Sequence, residues 1–200
     1  SSSWARDQSP SARVGAGAQA WILTDDACRQ DGDVFECASP TLFADLFVEG
    51  RWRALDALSI GASLGYGFSG GSAALVNSDG SGTRFETRLL RLSVEPRAHF
   101  SPDSAVDFFL GTELGFLSVR ESLVDFEGDT DTGSATGSQS GPILGLSTGL
   151  GFPLWGRLEL ELGLRVSFVH LPPARVPEID NNRLGTAYGS QLWAGLWAAF

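Results

Sequence analysis

The side chains that could do acid–base or nucleophilic work are few, since the 200 residues hold two histidines and two cysteines. His99 and Ser101 form a His-x-Ser triplet, in which an imidazole could take the proton of a hydroxyl nucleophile. His170 precedes Leu171, Pro172 and Pro173 and has no nucleophile spaced for a triad. Asp125, Glu127, Asp129 and Asp131 alternate along DFEGDTDTGSATGSQSG and could offer oxygen ligands to Ca²⁺. The EF-hand pattern fails, because the twelfth position counted from Glu127 is Ser138 rather than Glu, and solvated loop charge is the plainer reading. Cys28 and Cys37 lie nine positions apart in a polar stretch, without the CxxC spacing of a metal site. A local disulfide closing a surface loop fits them and implies an oxidising compartment. No catalytic residue and no cofactor is expected.

The composition limits what can position these groups. With 25 Gly, 13 Phe, no Met, no Lys and a formal charge of −10, the chain is a poor partner for nucleic acid. It contains no run of eighteen apolar residues, so no helix of it crosses a bilayer. It has no basic, apolar signal segment at its start and reads as a mature or trimmed piece. Residues 1–10 are polar and unpatterned, a short linker; residues 11–200 form one domain.

Alternation organises that domain, and helical spacing never wins. Leu58, Ile60, Ala62, Leu64, Tyr66 and Phe68 face one way while Ser59, Gly61, Ser63, Gly65, Gly67 and Ser69 face the other. Leu158, Leu160, Leu162, Leu164, Val166 and Phe168 repeat this against a charged face of Arg157, Glu159, Glu161 and Arg165. Similar segments begin near Val14, Leu42, Leu90, Val106, Leu144 and Tyr188. Eight strands of ten or more residues result, the ~9–11 that a tilted strand needs to cross a bilayer.

The charges on the polar faces decide which face meets lipid. The basic set is Arg13, Arg51, Arg53, Arg91, Arg97, Arg157 and Arg165; the acidic set is Asp45, Glu49, Glu95, Asp107, Glu113, Glu159 and Glu161. Seven against seven suits ions paired inside a narrow lumen, whereas a water-soluble barrel with these charges outside requires no balance. The fold class is therefore an all-β, eight-stranded, antiparallel up-and-down transmembrane β-barrel. Opposite charges across the fourth hairpin predict a register in which Arg97 faces Asp107 and Arg91 faces Glu113, with the turn centred on Pro102. Such a filled lumen is expected to conduct negligibly.

Short gaps near residues 54–57, 101–104 and 153–156 alternate with long ones at 25–41, 70–83, 121–141 and 171–185. Bacterial outer-membrane barrels have short periplasmic turns and long outer loops, which sets both termini in the periplasm. Aromatics at the strand ends would form two girdles: Trp52, Phe100, Phe108, Phe152, Trp155 and Phe200 at one end, Tyr66, Phe68, Phe116, Phe168 and Tyr188 at the other.

The last strand, TAYGSQLWAGLWAAF, resembles the C-terminal assembly signal of Gram-negative outer-membrane proteins. Phe200 is the terminal aromatic, with Leu196, Ala194 and Leu192 at alternate positions; Ala198 departs from the pattern, where the family carries a bulky apolar residue. Over residues 11–200 the plan resembles small eight-stranded barrels of the OmpA, OmpX and OmpW type. That resemblance implies outer-membrane lipids and the outer-membrane assembly machinery as partners, with an extracellular or periplasmic protein partner open. It implies a non-enzymatic envelope anchor or surface-interaction protein, with a narrow porin-like channel as the alternative and an outer-leaflet lipid-modifying enzyme after that. The His99-x-Ser101 triplet is similar to that of lipid A deacylases, but it falls at the predicted periplasmic turn, away from the outer leaflet. His99 then reads as a polar lining of the lower lumen.

Overall fold

The computed structural model describes residues 11–25, 28–31, 34–37, 41–69, 74–76, 81–101, 104–127, 130–155, 157–171 and 186–200. They form eleven strands: β1 (Ser11–Asp25), β2 (Cys28–Asp31), β3 (Val34–Cys37), β4 (Thr41–Leu55), β5 (Leu58–Ser69), β6 (Ala74–Val76), β7 (Ser81–His99), β8 (Asp107–Glu127), β9 (Thr130–Pro153), β10 (Leu158–His170) and β11 (Thr186–Ala199). Eight of them make the barrel, in the order β5-β4-β1-β11-β10-β9-β8-β7, and pairing of β5 with β7 closes it. Every barrel pair is antiparallel. Closure leaves no open sheet edge around the belt, a condition for burying backbone polar groups in hydrocarbon.

Period-two alternation builds the wall, because successive side chains on a strand point to opposite faces. Along β10, Leu162, Leu164, Val166 and Phe168 are exposed, while Glu161, Gly163, Arg165 and Ser167 are buried. The same holds around the barrel: Leu46, Val48, Leu64, Leu92, Leu114, Leu146 and Leu192 face outward. A continuous belt of exposed aliphatics is unstable in water and matches a bilayer core. Trp52, Phe100, Phe108, Trp155 and Phe200 are exposed near the short-turn end, and Tyr66, Phe68, Phe116 and Phe168 near the other. The side chain of Tyr188 lies outside the described residues, as does the proposed linker at 1–10.

Two expectations need correction. The fourth hairpin does not adopt the charge-opposed register: Arg97 faces Gly111, Arg91 faces Leu117 and His99 faces Phe109. Beside the turn, Phe100 N donates to Phe108 O at 2.8 Å and Ser104 N to Ser101 O at 3.1 Å, while Pro102 itself lies outside the described residues. Arginine is long enough to find a carboxylate several residues away, so direct opposition is not required and could not discriminate between registers. Nor are the described residues of the segment 121–141 a loop. β8 and β9 continue as a paired ribbon to Glu127 and Thr130, with a bulge at Asp125–Phe126. Both faces of that ribbon lie beyond the belt, so no apolar alternation marks it.

β2 and β3 form a small hairpin in the first long connection, and β6 pairs with the start of β7 in the second. The disulfide expected of Cys28 and Cys37 is not supported by the structure. Their backbones are opposing partners in the hairpin, and their side chains lie outside the described residues.

Candidate functional site

The inward face gathers the charged residues into one lumen. Asp45, Glu49, Arg51 and Arg53 come from β4; Arg91, Glu95, Arg97 and His99 from β7; Asp107 and Glu113 from β8; Glu159, Glu161 and Arg165 from β10; Arg13 from β1. All are buried. Arg157 is not among them, since it is exposed in the turn before β10. The described lumen thus holds six arginines and seven carboxylates rather than seven of each, with His99 beside them.

Arg97 is the hub. Its Nε donates to Glu95 at 2.7 Å and its Nη1 to Glu161 at 2.8 Å, and Nη2 lies 3.6 Å from Glu49. Its guanidinium also lies over Phe109 and Trp193, 4.5 and 5.2 Å from the ring centroids. Arg51 donates to Glu49 at 2.7 and 2.9 Å and pairs with Glu161. Arg165 joins Glu95 to Glu113, and Arg91 continues from Glu113 at 2.7 Å to Asp45 at 3.7 Å. Neutral donors fill remaining acceptor positions: Gln19 and Trp21 on Asp45, Ser147 on Glu95, Ser167 on Glu113. The chain is continuous from Arg51 to Asp45, and planar arginine forks suit it because each can serve two carboxylates while staying ionised when desolvated.

Small residues on other strands make room for these side chains. A Cβ on Gly61 would stand 2.4 Å from Glu49 Oε1, and one on Gly111 would stand 2.8 Å from Glu95 Oε1. Apolar groups complete the filling. Trp21, Leu89, Leu117, Val119, Ile143, Val169 and Leu171 cluster toward the long-connection end, and Phe47, Phe109, Trp193 and Trp197 form an aromatic wall against the arginines. Sequence reading missed this wall, because it sorted inward positions by charge alone. The signal was there: Trp193 and Trp197 sit at inward parity in QLWAGLWAAF, and glycines face them across the neighbouring strands at Gly163 and Gly15.

Arg91 and Glu113 do meet, although not as direct cross-strand partners. Asp107 meets Arg53 at 2.8 Å rather than Arg97, and Glu159 meets Arg13. His99 meets a serine, but it is Ser59 and not Ser101. Ser59 Oγ lies 2.8 Å from His99 Nε2, and His99 Nδ1 lies 2.8 Å from Asp107 Oδ2.

The metal idea gains nothing here. Among the described residues no group of three or more His, Cys, Asp or Glu side chains could hold an ion. Glu127 and Asp131 are exposed on the ribbon, while the side chain of Asp125 and all of Asp129 lie outside the described residues. His170 is exposed at the end of β10.

No family model matches the chain, and no curated protein matches its sequence. Solved structures do match its fold. Neisserial surface protein A aligns with a TM-score of 0.63 at 17% identity, over 96% of this chain and 100% of that one. Ail, the attachment invasion locus protein of Yersinia pestis, aligns at 0.57 and 10% identity, over 95% and 98%. A major outer membrane protein from Thermus thermophilus aligns at 0.52 and 14% identity, over 94% and 99%. At such identities the likeness is one of fold: a closed, eight-stranded outer-membrane barrel.

Proposed function

We propose that this chain is an integral barrel of the bacterial outer membrane, its termini and short turns toward the periplasm, and that it works at the cell surface as an interaction protein. The observation that carries this reading is the ribbon. β8 and β9 stay paired beyond the last exposed large apolar side chains facing the belt, Phe116 and Leu144, to Glu127 and Thr130. At ~3.4 Å per residue that is roughly 35 Å or more of strand with no role in spanning lipid.

The charge of the chain supports the same reading. The four long connections at 25–41, 70–83, 121–141 and 171–185 hold thirteen acids and three arginines, which accounts for the whole formal charge of −10. A surface of that sign attracts cationic partners and repels polyanions. Ail has been solved with the heparin analogue sucrose octasulfate; the acidic connections of this chain favour the opposite class of partner, a basic protein or peptide. The filled lumen speaks against the channel alternative. Phe200 is exposed and its N–H bonds to Ala12 O at 3.0 Å, at the seam of the first and last strands, which supports reading it as the assembly signal.

The test excises residues 122–138, joins the ends with two glycines, and compares binding of the folded barrels to an immobilised lysine-rich peptide and to immobilised heparin. The reading expects salt-sensitive binding of the intact protein to the peptide, loss of it on excision, and no binding to heparin. Equal peptide binding with and without the ribbon overturns it.

A further inference from the structure

Arg88 and Arg120 stand apart from the lumen network. Arg88 lies on β7 at the outward parity of Leu90 and Leu92, and Arg120 lies on β8 at that of Phe116. Both are exposed, and they are direct cross-strand partners. Side chains so placed have Cβ atoms ~4.5–5.5 Å apart, and like charges there destabilise the pairing. Among the described residues no acid pairs with either, whereas every lumen arginine has a carboxylate. Glu86, two positions from Arg88 on β7, has its side chain outside the described residues, and one carboxylate would still leave two guanidiniums net positive. The pair sits where the belt ends. Phe68 of β5 faces Arg88, and Tyr66 faces Leu90 one step nearer the short turns; both rings are exposed. On the other side Ser138 of β9 faces Arg120, and Ser140 donates to Ser118 at 3.0 Å one step nearer the short turns. The outward row therefore runs aromatic, guanidinium, guanidinium, hydroxyl, at the edge of the apolar surface made by Leu90, Leu92 and Phe116.

We propose that Arg88 and Arg120 form a two-pronged site for a lipid head group bearing a phosphate monoester, in the leaflet that borders the long connections. Charge decides the class: a phosphate monoester carries about −1.5 to −2 at pH 7, close to the two positive charges, whereas a diester carries about −1. Arginine forks donate to phosphate oxygens through parallel hydrogen bonds, and Ser138 offers a hydroxyl beside them. A bound phosphate also offsets the repulsion between the opposed cations. The acyl chains of the same lipid run along the exposed aliphatics below. The acidic connections repel soluble polyanions, but a lipid reaches the arginines laterally through the bilayer. The site rests on the membrane-spanning belt and not on what the connections bind.

The test folds the protein into phosphatidylcholine bilayers holding equal minor amounts of phosphatidic acid, a monoester, and phosphatidylglycerol, a diester. The protein is then extracted in mild detergent and its retained lipids are counted by native mass spectrometry. The proposal expects phosphatidic acid to be retained in preference to both other lipids, and retention weaker by roughly tenfold or more in Arg88→Gln and in Arg120→Gln. Arg157→Gln, exposed at the opposite mouth, should retain it as wild type does. Inorganic phosphate at matched concentration should fail to displace the lipid; displacement assigns the site to free phosphate and overturns the proposal. Unfolding gives a second readout: Arg88→Gln should be no less stable than wild type in phosphatidylcholine alone, and less stable once phosphatidic acid is present. Wild type alone decides the matter if a variant fails to fold, since equal retention of phosphatidic acid and phosphatidylglycerol overturns the proposal. Unchanged retention in both arginine variants overturns it as well.

Discussion

Replacing Arg97 with alanine tests the lumen where it is most connected. The arginine makes hydrogen-bonded pairs with Glu95 and Glu161 at 2.7 and 2.8 Å, stands 3.6 Å from Glu49 and lies over two aromatic rings. Removing one partner of a buried pair costs about 3–5 kcal/mol, because the charge left behind has lost its compensation. The lower part of that range applies here, since Glu95 keeps Arg165 and Ser147, and Glu161 and Glu49 keep Arg51. Loss of a desolvated cation–π contact adds about 2 kcal/mol. A total near 5 kcal/mol corresponds to roughly three and a half factors of ten in the folding equilibrium, at ~1.4 kcal/mol per factor of ten. The assay is reversible denaturant unfolding in lipid vesicles, followed by tryptophan fluorescence and by gel mobility without heating. Arg97→Lys should fall between wild type and alanine, since it keeps the charge but loses the fork. The control is Arg157→Ala, exposed in its turn and expected within about 0.5 kcal/mol of wild type. Equal stability of the Arg97 and Arg157 variants would refute the network as a source of stability.

The remaining predictions concern the two faces of the wall. Leu146→Arg puts a cation on the most exposed aliphatic of β9 and should cost about 2–4 kcal/mol in the same unfolding assay, whereas Ser140→Arg, toward the ribbon, should cost less than about 1 kcal/mol. Gly163→Ala would set a Cβ 2.5 Å from the Trp193 indole. It should cost about 1–3 kcal/mol and shift tryptophan emission, while Gly50→Ala, with nothing within 4 Å of its Cβ, should change neither.

The number of barrel strands and their two faces were legible in the sequence, and thirteen of the fourteen charged residues assigned to the lumen are buried, Arg157 being the exception. Each rests on period-two alternation, which is local and strict wherever one face meets hydrocarbon. Register was not legible. Arg97 reaches Glu161 and Glu49 on other strands as readily as it would reach Asp107 across the hairpin, so charge pairing carries no register information at that range. The ribbon escaped for a different reason. Residues such as Ser134, Thr136 and Ser138 see water, and a strand with two polar faces looks like a loop. Arg157 was assigned to the lumen on parity alone, although a strand's first positions belong to its turn. The Ser59–His99 contact joins residues forty positions apart. Only the β5–β7 closure of the barrel brings them together, and no spacing rule along the chain could have found it.

The central claim is that paired ions and aromatic rings fill the lumen of a membrane-spanning barrel, and conductance across a planar bilayer containing the folded protein tests it most directly. A filled lumen predicts insertion without steady current at moderate voltage. It also predicts that opening the network, as in Arg97→Ala combined with Glu161→Ala, produces current where wild type gives none. Stable, well-defined open channels in the wild-type protein would contradict it.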